Sequence, residues 1–160
     1  MSDVDEFVRL VVANSHLANH YASPPDAELI NWAESSVGLK LPPTFRRYLE
    51  TLGGCDLPGE EIYGLFRDRS DDSVVHGFSE ETLESRRDIV NFPGFLIPFM
   101  EDGMGGFYVM DTSQADASGE APVYIWTPEF KDSPGEYVGQ DFGEVALMMA
   151  SRAIASEDVE

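Results

Sequence analysis

Apolar residues recur at helical spacing near both ends of the chain. The N-terminal set is Val4, Phe7, Val8, Val11 and Val12. The C-terminal set is Phe142, Val145, Ala146, Met149, Ala150 and Ala153. Because residues three and four apart share one face of a helix, these sets predict a first helix over residues 4–20 and a closing helix at the C-terminus.

A second helix is predicted after the Ser23-Pro24-Pro25 break, with Ser23 or Asp26 as its N-cap. Its buried face would carry Leu29, Ala33 and Val37. Gly38 closes this helix, because glycine readily adopts the left-handed conformation that ends a helix.

Residues 38–54 encode a loop, a third helix and a helix stop. Pro42 and Pro43 suit a first helical turn, where the missing N–H has no helical partner to lose. The apolar face then repeats at i, i+4 and i+7, at Phe45, Leu49 and Leu52. Gly53 is expected to form the left-handed C-terminal cap, and Gly54 to release the chain. The block predicts a helix from Pro42 to Leu52.

Beyond residue 54 the pattern changes to short apolar runs that are typical of strands. Extended segments are expected at residues 61–66, 74–76, 95–100, 107–110 and 121–127. Residues 101–106 would form a turn, and Pro98 would lie at a strand edge or end because it has no N–H for the ladder. Ser79 would cap a helix that runs to about Val90. We therefore expect one α+β domain, an antiparallel central sheet flanked by helices at both chain ends.

The chain carries a large negative charge. Ten Lys and Arg residues against thirty Asp and Glu residues give a net charge of −20 at pH 7. Such a field repels nucleic acid and anionic lipid, and it steers a basic protein partner toward the surface. A solubility surface or a salt-adapted proteome would produce the same charge, so charge alone does not decide between these interpretations.

Composition narrows the class of protein further. A chain of 160 residues with 42% hydrophobic content can bury a real core. The acidic N-terminus lacks the basic and apolar regions of a signal peptide, and no apolar run has the length of a membrane span. With a single cysteine, Cys55, these features predict a cytoplasmic protein without an internal disulfide.

The histidine and cysteine residues do not predict a metal site or a catalytic nucleophile. His16 and His20 are four residues apart, but no glutamate follows His16 and His76 is distant in the sequence, so a pair at the surface is favoured over a metal site. Cys55 has no ligand-spaced partner and is interpreted as a buried or half-buried thiol rather than a nucleophile.

The turn at residues 101–106 has three alternative interpretations. Glu101, Asp102 and Asp111 could gather oxygen ligands for calcium, but the ligand spacing of a calcium loop is missing. A phosphate-binding nest is disfavoured by the adjacent carboxylates, so a hairpin turn is favoured. Asp111 would end its strand with bonds from its side chain to the backbone. No nucleophile elbow or Walker loop occurs, although two carboxylates could still meet in space.

The order of these blocks resembles the SUKH superfamily. The first block is Val37-Gly38-Leu39-Lys40-Leu41-Pro42-Pro43 and its helix, and the later blocks follow with similar spacing. The positions that match the family motifs are Gly38, Leu41, Pro42, Phe45, Leu49, Gly53, Gly54, Tyr63, Gly64, Pro98, Gly103, Asp111 and Trp126. The resemblance divides the chain into an N-terminal helical extension, residues 1–25, and a SUKH-like domain, residues 26–160.

The resemblance implies an α+β fold without enzymatic activity or a cofactor. Bacterial members of the family are immunity proteins that bind and neutralise a cognate toxin, frequently a nuclease, and fungal relatives act as regulatory interaction proteins. We therefore expect a cytoplasmic immunity protein with a basic toxin partner. The alternative is a regulatory module in cell-envelope or stress signalling, and a metal-dependent or small-molecule enzyme is a third class.

Acidic and aromatic residues outside the helical blocks are the candidate partner-binding positions. Carboxylates would pair with Lys or Arg of the partner, and an aromatic side chain would serve as an anchor. The candidates are Asp56, Glu60, Glu61, Tyr63, Asp68, Asp71, Asp72, Glu101, Asp102 and Trp126. For each acid, a solvated surface position is the competing interpretation.

Overall fold

The computed structural model describes residues 2–21 and 23–158. Within these residues the helices are α1 (Asp3–Ala13), α2 (Ala27–Val37), α3 (Pro43–Thr51), α4 (Phe78–Asp88) and α5 (Phe142–Asp158). The strands are β1 (Asn19–His20), β2 (Cys55–Leu57), β3 (Glu60–Ile62), β4 (Leu65–Arg67), β5 (Val75–Gly77), β6 (Leu96–Glu101), β7 (Phe107–Asp111), β8 (Val123–Trp126) and β9 (Glu136–Gly139). Short 3₁₀ turns occupy Thr112–Gln114 and Pro128–Phe130.

The strands form three antiparallel sheets, so the predicted α+β class is confirmed. Strands β1-β2-β3 make one small sheet, β4-β5 a second, and β6-β7-β8-β9 the central four-stranded sheet. Strand β6 lies at the edge of the central sheet, where Pro98 was expected, and its pairing shifts register between Pro98 and Met100. The Tyr63 N–H donates to the Phe99 carbonyl (2.8 Å), which ties the small sheet to this edge.

The main core is organised around the ring of Phe142 at the start of α5. Its centroid lies 5.0 Å from Phe45, 5.1 Å from Phe99 and 5.2 Å from Tyr48. All four side chains are buried, so helices α3 and α5 and the central sheet meet at one aromatic cluster. Edge-to-face pairs such as Phe45–Phe142 add to the hydrophobic stabilisation of this contact.

Helix α1 shares that core, since its Phe7 ring lies 6.3 Å from Phe142 and is fully buried. The predicted division at residue 25 stays a prediction, but the first helix packs as part of the same body. The helix is shorter than expected and ends at Ala13 rather than near residue 20. The Asn14 side chain donates to the Leu10 carbonyl (2.8 Å) and stops the helix, and the chain then turns into β1.

Glycines allow the end of the third helix to pack closely against the strands that follow it. Gly38 and Gly53 have φ of 74° and 73°, which confirms their predicted left-handed conformations after α2 and α3. Gly64 packs on the backbone of Gly53 and Gly54, where a methyl group would overlap the Gly53 carbonyl oxygen. The Leu65 N–H donates to that same oxygen at 2.9 Å, so the close approach is held by a hydrogen bond.

Two predicted elements are wrong in detail. The expected strand at residues 61–66 is broken at Tyr63-Gly64 into β3 and β4, because Gly64 must turn against the end of α3. Ser79 is not a helix cap: α4 begins at Phe78 after Gly77, whose φ is 123°. The Phe78 N–H donates to the Gly64 carbonyl (2.8 Å), so the N-cap lies at Gly77, two residues before the predicted one, and Ser79 is buried.

Strand β1 lies within the predicted first helix, and β2 and β9 were not predicted either, since strands of two to four residues carry little pattern. None of the described helices is long and apolar enough to cross a membrane.

Candidate functional site

A cavity of about 440 Å³ opens between β3, α4 and the β6–β7 hairpin. We call it the acidic pocket. Its lining residues are Gly59, Glu60, Glu61, Tyr63, Glu81, Met100, Glu101, Asp102, Gly103 and Tyr108. Half of these are carboxylic acids and none is basic, so the pocket concentrates the negative charge of the chain.

The hairpin tip holds one acid of the pocket in place. Asp102 Oδ1 accepts hydrogen bonds from the Met104 N–H (2.7 Å) and the Gly106 N–H (2.8 Å). Gly103 and Gly105 have positive φ, so the turn needs glycine at both positions. The predicted hairpin turn is confirmed, and its backbone N–H groups are already satisfied by this carboxylate.

Tyr63 contributes a buried hydroxyl group to the wall of the pocket. The residue is only 7% exposed, and its hydroxyl is buried without a hydrogen-bond partner among the described residues. Its backbone is fixed on both sides, because its N–H bonds Phe99 and its carbonyl accepts from the Tyr48 hydroxyl (3.1 Å). Burial raises the pKa of Tyr63, and the charges of Glu81, Glu101 and Glu61 raise it further. The phenol therefore stays protonated among carboxylates.

Among the described residues, no acid of the pocket forms a salt bridge. Burial raises the pKa of Glu61, with added contributions from Asp56 and Glu101. Burial also raises the pKa of Glu81, and Glu84 and other acidic neighbours add to the effect. An approaching cation would relieve both like-charge repulsion and the cost of burying these carboxylates.

A neighbouring cavity of about 410 Å³ extends the acidic pocket along the surface. It shares Glu61, Tyr63 and Glu81 with the pocket and continues past Glu80 and His76. We call the two cavities together the acidic groove. The far end is aromatic: Tyr21 and Phe66 pack edge to face with centroids 5.5 Å apart, and Phe66 is 42% exposed.

His76 is the cationic exception within the groove. Its Nε2 lies 2.8 Å from Asp68 Oδ2 and its Nδ1 lies 3.0 Å from Glu80 Oε2. Because carboxylates only accept hydrogen bonds, both contacts are hydrogen bonds when both ring nitrogens carry protons. The bond to Asp68 and then the bond to Glu80 raise the pKa of His76. The Ser70 hydroxyl and then His76 lower the pKa of Asp68. The histidine thus braces the loop of β4–β5 against α4.

The structure brings together six of the ten candidate residues. Five line the acidic pocket, at Glu60, Glu61, Tyr63, Glu101 and Asp102, and Asp68 lines the groove. Asp56 is exposed on β2, in register with Glu61. Asp71 and Asp72 lie in the exposed loop beyond β4, where Asp71 Oδ1 accepts from the Ser73 N–H (3.1 Å). The Asp72 carbonyl accepts from Arg67, so both residues serve the loop itself.

Trp126 does not fit its predicted role as an exposed anchor. The side chain is fully buried against Phe92, with ring centroids 5.0 Å apart, and its indole N–H donates to the Lys131 carbonyl (2.8 Å). The opposite face of the central sheet is covered by this second cluster, so an outward position on β8 is still an interior position.

Several groove residues were missed from the sequence. Glu81 lies in the helix predicted after Ser79 and Tyr108 in the segment predicted as extended over residues 107–110, and neither was a candidate. The remaining missed residues are Tyr21, Phe66, His76 and Glu80. The i, i+4 spacing of His76 and Glu80 across the Gly77 helix start was an available signal for their pairing.

Other candidate chemistry falls outside the groove or finds no support. Cys55 is buried, as predicted, and burial followed by the charge of Asp56 raises its pKa to about 12. His16 and His20 are both exposed. Among residues 2–21 and 23–158, no group of three or more His, Cys, Asp or Glu side chains is placed to hold a metal ion. The Asp111 carboxylate accepts from the Ser113 N–H (3.0 Å), which confirms its predicted role at the strand end.

Comparison with known families gives a match over most of the domain. The SUKH_6 family model, described as SMI1-KNR4 cell-wall, matches residues 27–144. No individual curated protein matches the chain significantly in sequence. The matched region contains α2 to β9 and every residue of the acidic pocket. The chain therefore belongs to the SMI1-KNR4 family of the SUKH superfamily.

Proposed function

We propose that this protein is a non-catalytic immunity protein that binds and neutralises a cognate, basic toxin domain such as a nuclease. The single observation that carries the proposal is the acidic pocket, in which acids from three elements surround the buried hydroxyl of Tyr63. Family membership is consistent with this role. The protein would act in the cytoplasm, where such a toxin reaches its target.

The proposed mechanism is occlusion of the toxin's functional surface. A net charge of −20 steers a basic partner and raises its association rate. The carboxylates of the acidic groove then pair with Lys or Arg of the partner. Phe66, exposed at the aromatic end of the groove, replaces Trp126 as the anchor that contacts the partner's apolar surface.

Binding explains the pocket electrostatics better than a solvated surface does. A purely solvated acid keeps its ordinary pKa, whereas burial and acidic neighbours raise the pKa of both Glu61 and Glu81. Glu81 is half-buried and Glu61 lies exposed at the rim, so the like charges of the pocket act on both carboxylates and a bound cation would offset them. Natural proteins retain such local costs where function requires them.

The test is complex formation with the toxin domain encoded beside the gene. The wild-type chain should co-purify with the catalytically inactive toxin domain at physiological salt and should restore growth when co-expressed with the active domain. The double variant Glu61→Gln/Glu81→Gln should bind at least about ten-fold more weakly, because two charge-assisted contacts are lost. The matched control Glu28→Gln/Glu157→Gln removes the same charge at residues that do not line the groove and should bind normally.

The alternative function is a regulatory interaction module in cell-envelope or stress signalling. It uses the same groove but requires no toxin gene next door. Absence of a complex with any adjacent or co-transcribed toxin would contradict the immunity role. Capture of a regulator through the groove, abolished by Glu61→Gln/Glu81→Gln, would establish the alternative instead.

A further inference from the structure

The hydroxyl of Tyr63 is the feature of the acidic pocket that the fold does not explain. A buried hydroxyl without a partner costs free energy, and buried polar groups in folded proteins are normally hydrogen-bonded. The Tyr63 backbone is held by bonds to Phe99 and from Tyr48, and burial of all but 7% of the residue restricts the position of its ring. Its oxygen is therefore a preformed acceptor with no acceptor role inside the protein.

The carboxylates around this hydroxyl are arranged for a broad cation rather than for a single ion. Glu61 comes from β3, Glu81 from α4 and Glu101 from β6, and the charges of all three act on the phenol. No three ligand-type side chains of the described chain converge closely enough to hold a metal ion. A guanidinium group presents five N–H donors in one plane and can satisfy acceptors that lie apart.

The walls of the pocket suit the rest of an arginine side chain. Met100, buried at the edge strand, offers a contact for the methylene groups. Tyr108 is half-buried at the rim and offers an aromatic face, on which arginine stacks more readily than lysine. Arginine is also the least hydrated of the basic side chains, so its burial in the pocket costs less.

We propose that the acidic pocket is a receptor for one arginine side chain of the protein partner. A guanidinium N–H donates to the Tyr63 oxygen, and the remaining N–H groups donate to the carboxylates of Glu61, Glu81 and Glu101. The Tyr63 oxygen, which has no partner within the described protein, would then accept a hydrogen bond from the bound arginine. This inference deepens the proposed function and rests on it, because it names the side chain by which a basic partner is recognised.

The direct test is an NMR titration of the full chain with Nα-acetyl-arginine amide. Backbone amide shifts should change and saturate at Tyr63, Glu101 and Gly103, with little change at remote positions. The neutral citrulline counterpart should give no saturable shift, and the lysine counterpart should bind several-fold more weakly. Equal binding of citrulline, tighter binding of lysine, or the same shifts with calcium chloride alone would each overturn the proposal.

Tyr63→Phe provides the sharpest variant because it removes only the oxygen. The hydroxyl makes no bond within the protein, so the variant should be as stable as the wild-type chain or more stable. Arginine affinity should fall about ten-fold, the typical effect of losing a hydrogen bond to a charged group. A variant that loses stability and keeps arginine affinity would show a structural role for the hydroxyl and would overturn the proposal.

A second pair of variants distinguishes binding in the pocket from attraction by the net negative charge of the chain. Glu81→Gln should weaken binding of the arginine amide, whereas Glu28→Gln, which makes the same charge change at an exposed position of α2, should not. Equal loss in the two variants would mean that only net charge attracts the ligand, which contradicts the proposal.

The toxin experiment and the arginine experiment test the two proposals separately, so either proposal can fail while the other stands. If the toxin domain binds but the arginine amide does not occupy the pocket, the immunity role stands and the arginine receptor falls. If the amide saturates the pocket while no adjacent toxin binds, the receptor stands and the immunity role falls.

Discussion

His76 Nε2 lies 2.8 Å from Asp68 Oδ2, and this pair links strand β5 to the loop after β4 beside the acidic groove. The second ring nitrogen of His76 pairs with Glu80 at the start of α4. When it is protonated, this imidazole donates to a carboxylate on each side and so links three segments of the groove wall. The charge of this imidazole is the link between pH and the shape of the groove.

The pKa of His76 should lie above its ordinary value of 6.5, and Asp68→Asn should lower it, because the largest cause of the shift is the bond to Asp68. Since folding raises this pKa, the stabilisation from His76 is full below pH 6.5 and is lost as pH rises through the folded pKa. Asp68 behaves oppositely, with stabilisation present above 3.8 and lost as pH falls through its lowered pKa. The His76 ring proton shift, followed by NMR from pH 5 to 9, measures the effect. An unchanged titration in Asp68→Asn would contradict it.

Gly64→Ala should destabilise the fold strongly. The added methyl group would overlap the Gly53 carbonyl and the Gly54 backbone, which cannot move without shifting the end of α3. We expect a loss of at least about 2 kcal/mol in the free energy of unfolding, as for other overpacked sites. Gly94→Ala is the matched control, because a methyl group there meets nothing within 4 Å. Urea denaturation of both variants makes the comparison, and equal stabilities would refute the close-approach argument.

These glycines also show what could be predicted from sequence. The helix caps at Gly38 and Gly53 followed from local backbone rules, and so did the β6–β7 hairpin with its turn at Asp102 and Gly103. Local rules suffice there because the responsible atoms are a few residues apart. The break at Gly64 could not be predicted in this way, because it results from contact with the distant end of α3.

The candidate site likewise combines residues that could be predicted locally with residues that depend on contacts between distant segments. Glu60, Glu61, Glu101 and Asp102 were predicted individually as candidate partner-binding residues, and the fold brings them to one pocket. Glu81 was not predicted as a site residue. It lies in the first turn of α4 and reaches the pocket only because α4 packs beside β3 and β6. Trp126 was misplaced because strand alternation gives the face of the sheet but not whether that face is covered. Val123 joins the main core and Trp126 the second cluster, so both faces of β8 are interior.

Phe142→Ala should cost about 3–5 kcal/mol in the free energy of unfolding. The ring is fully buried and has four aromatic neighbours that come from α1, α3 and β6, so the cavity cannot collapse without moving several elements. Met104→Ala, at a residue that is 88% exposed on the hairpin tip, should change stability by less than about 0.5 kcal/mol. Chemical denaturation with one shared slope tests both values. A loss below about 1 kcal/mol for Phe142→Ala would mean that the aromatic cluster is not the centre of the core.

Glu81→Gln should stabilise the protein at pH 7 while it weakens partner binding. Folding raises the pKa of Glu81, chiefly through burial, so its charged form opposes folding once the pH exceeds that raised pKa. The neutral amide removes this penalty, and the melting temperature should rise relative to Glu28→Gln, which has the same change in net charge at an exposed position. The difference should shrink as the pH falls through the raised pKa, where wild-type Glu81 is itself neutral, and added salt should narrow it by screening the acidic neighbours.

Thermal melts at pH 4, 5.5 and 7 measure the trend. A melting temperature that falls at pH 7, or a gain that persists unchanged at pH 4, would show that the acidic pocket is not held under electrostatic cost and would remove the reason for a cationic partner to bind there.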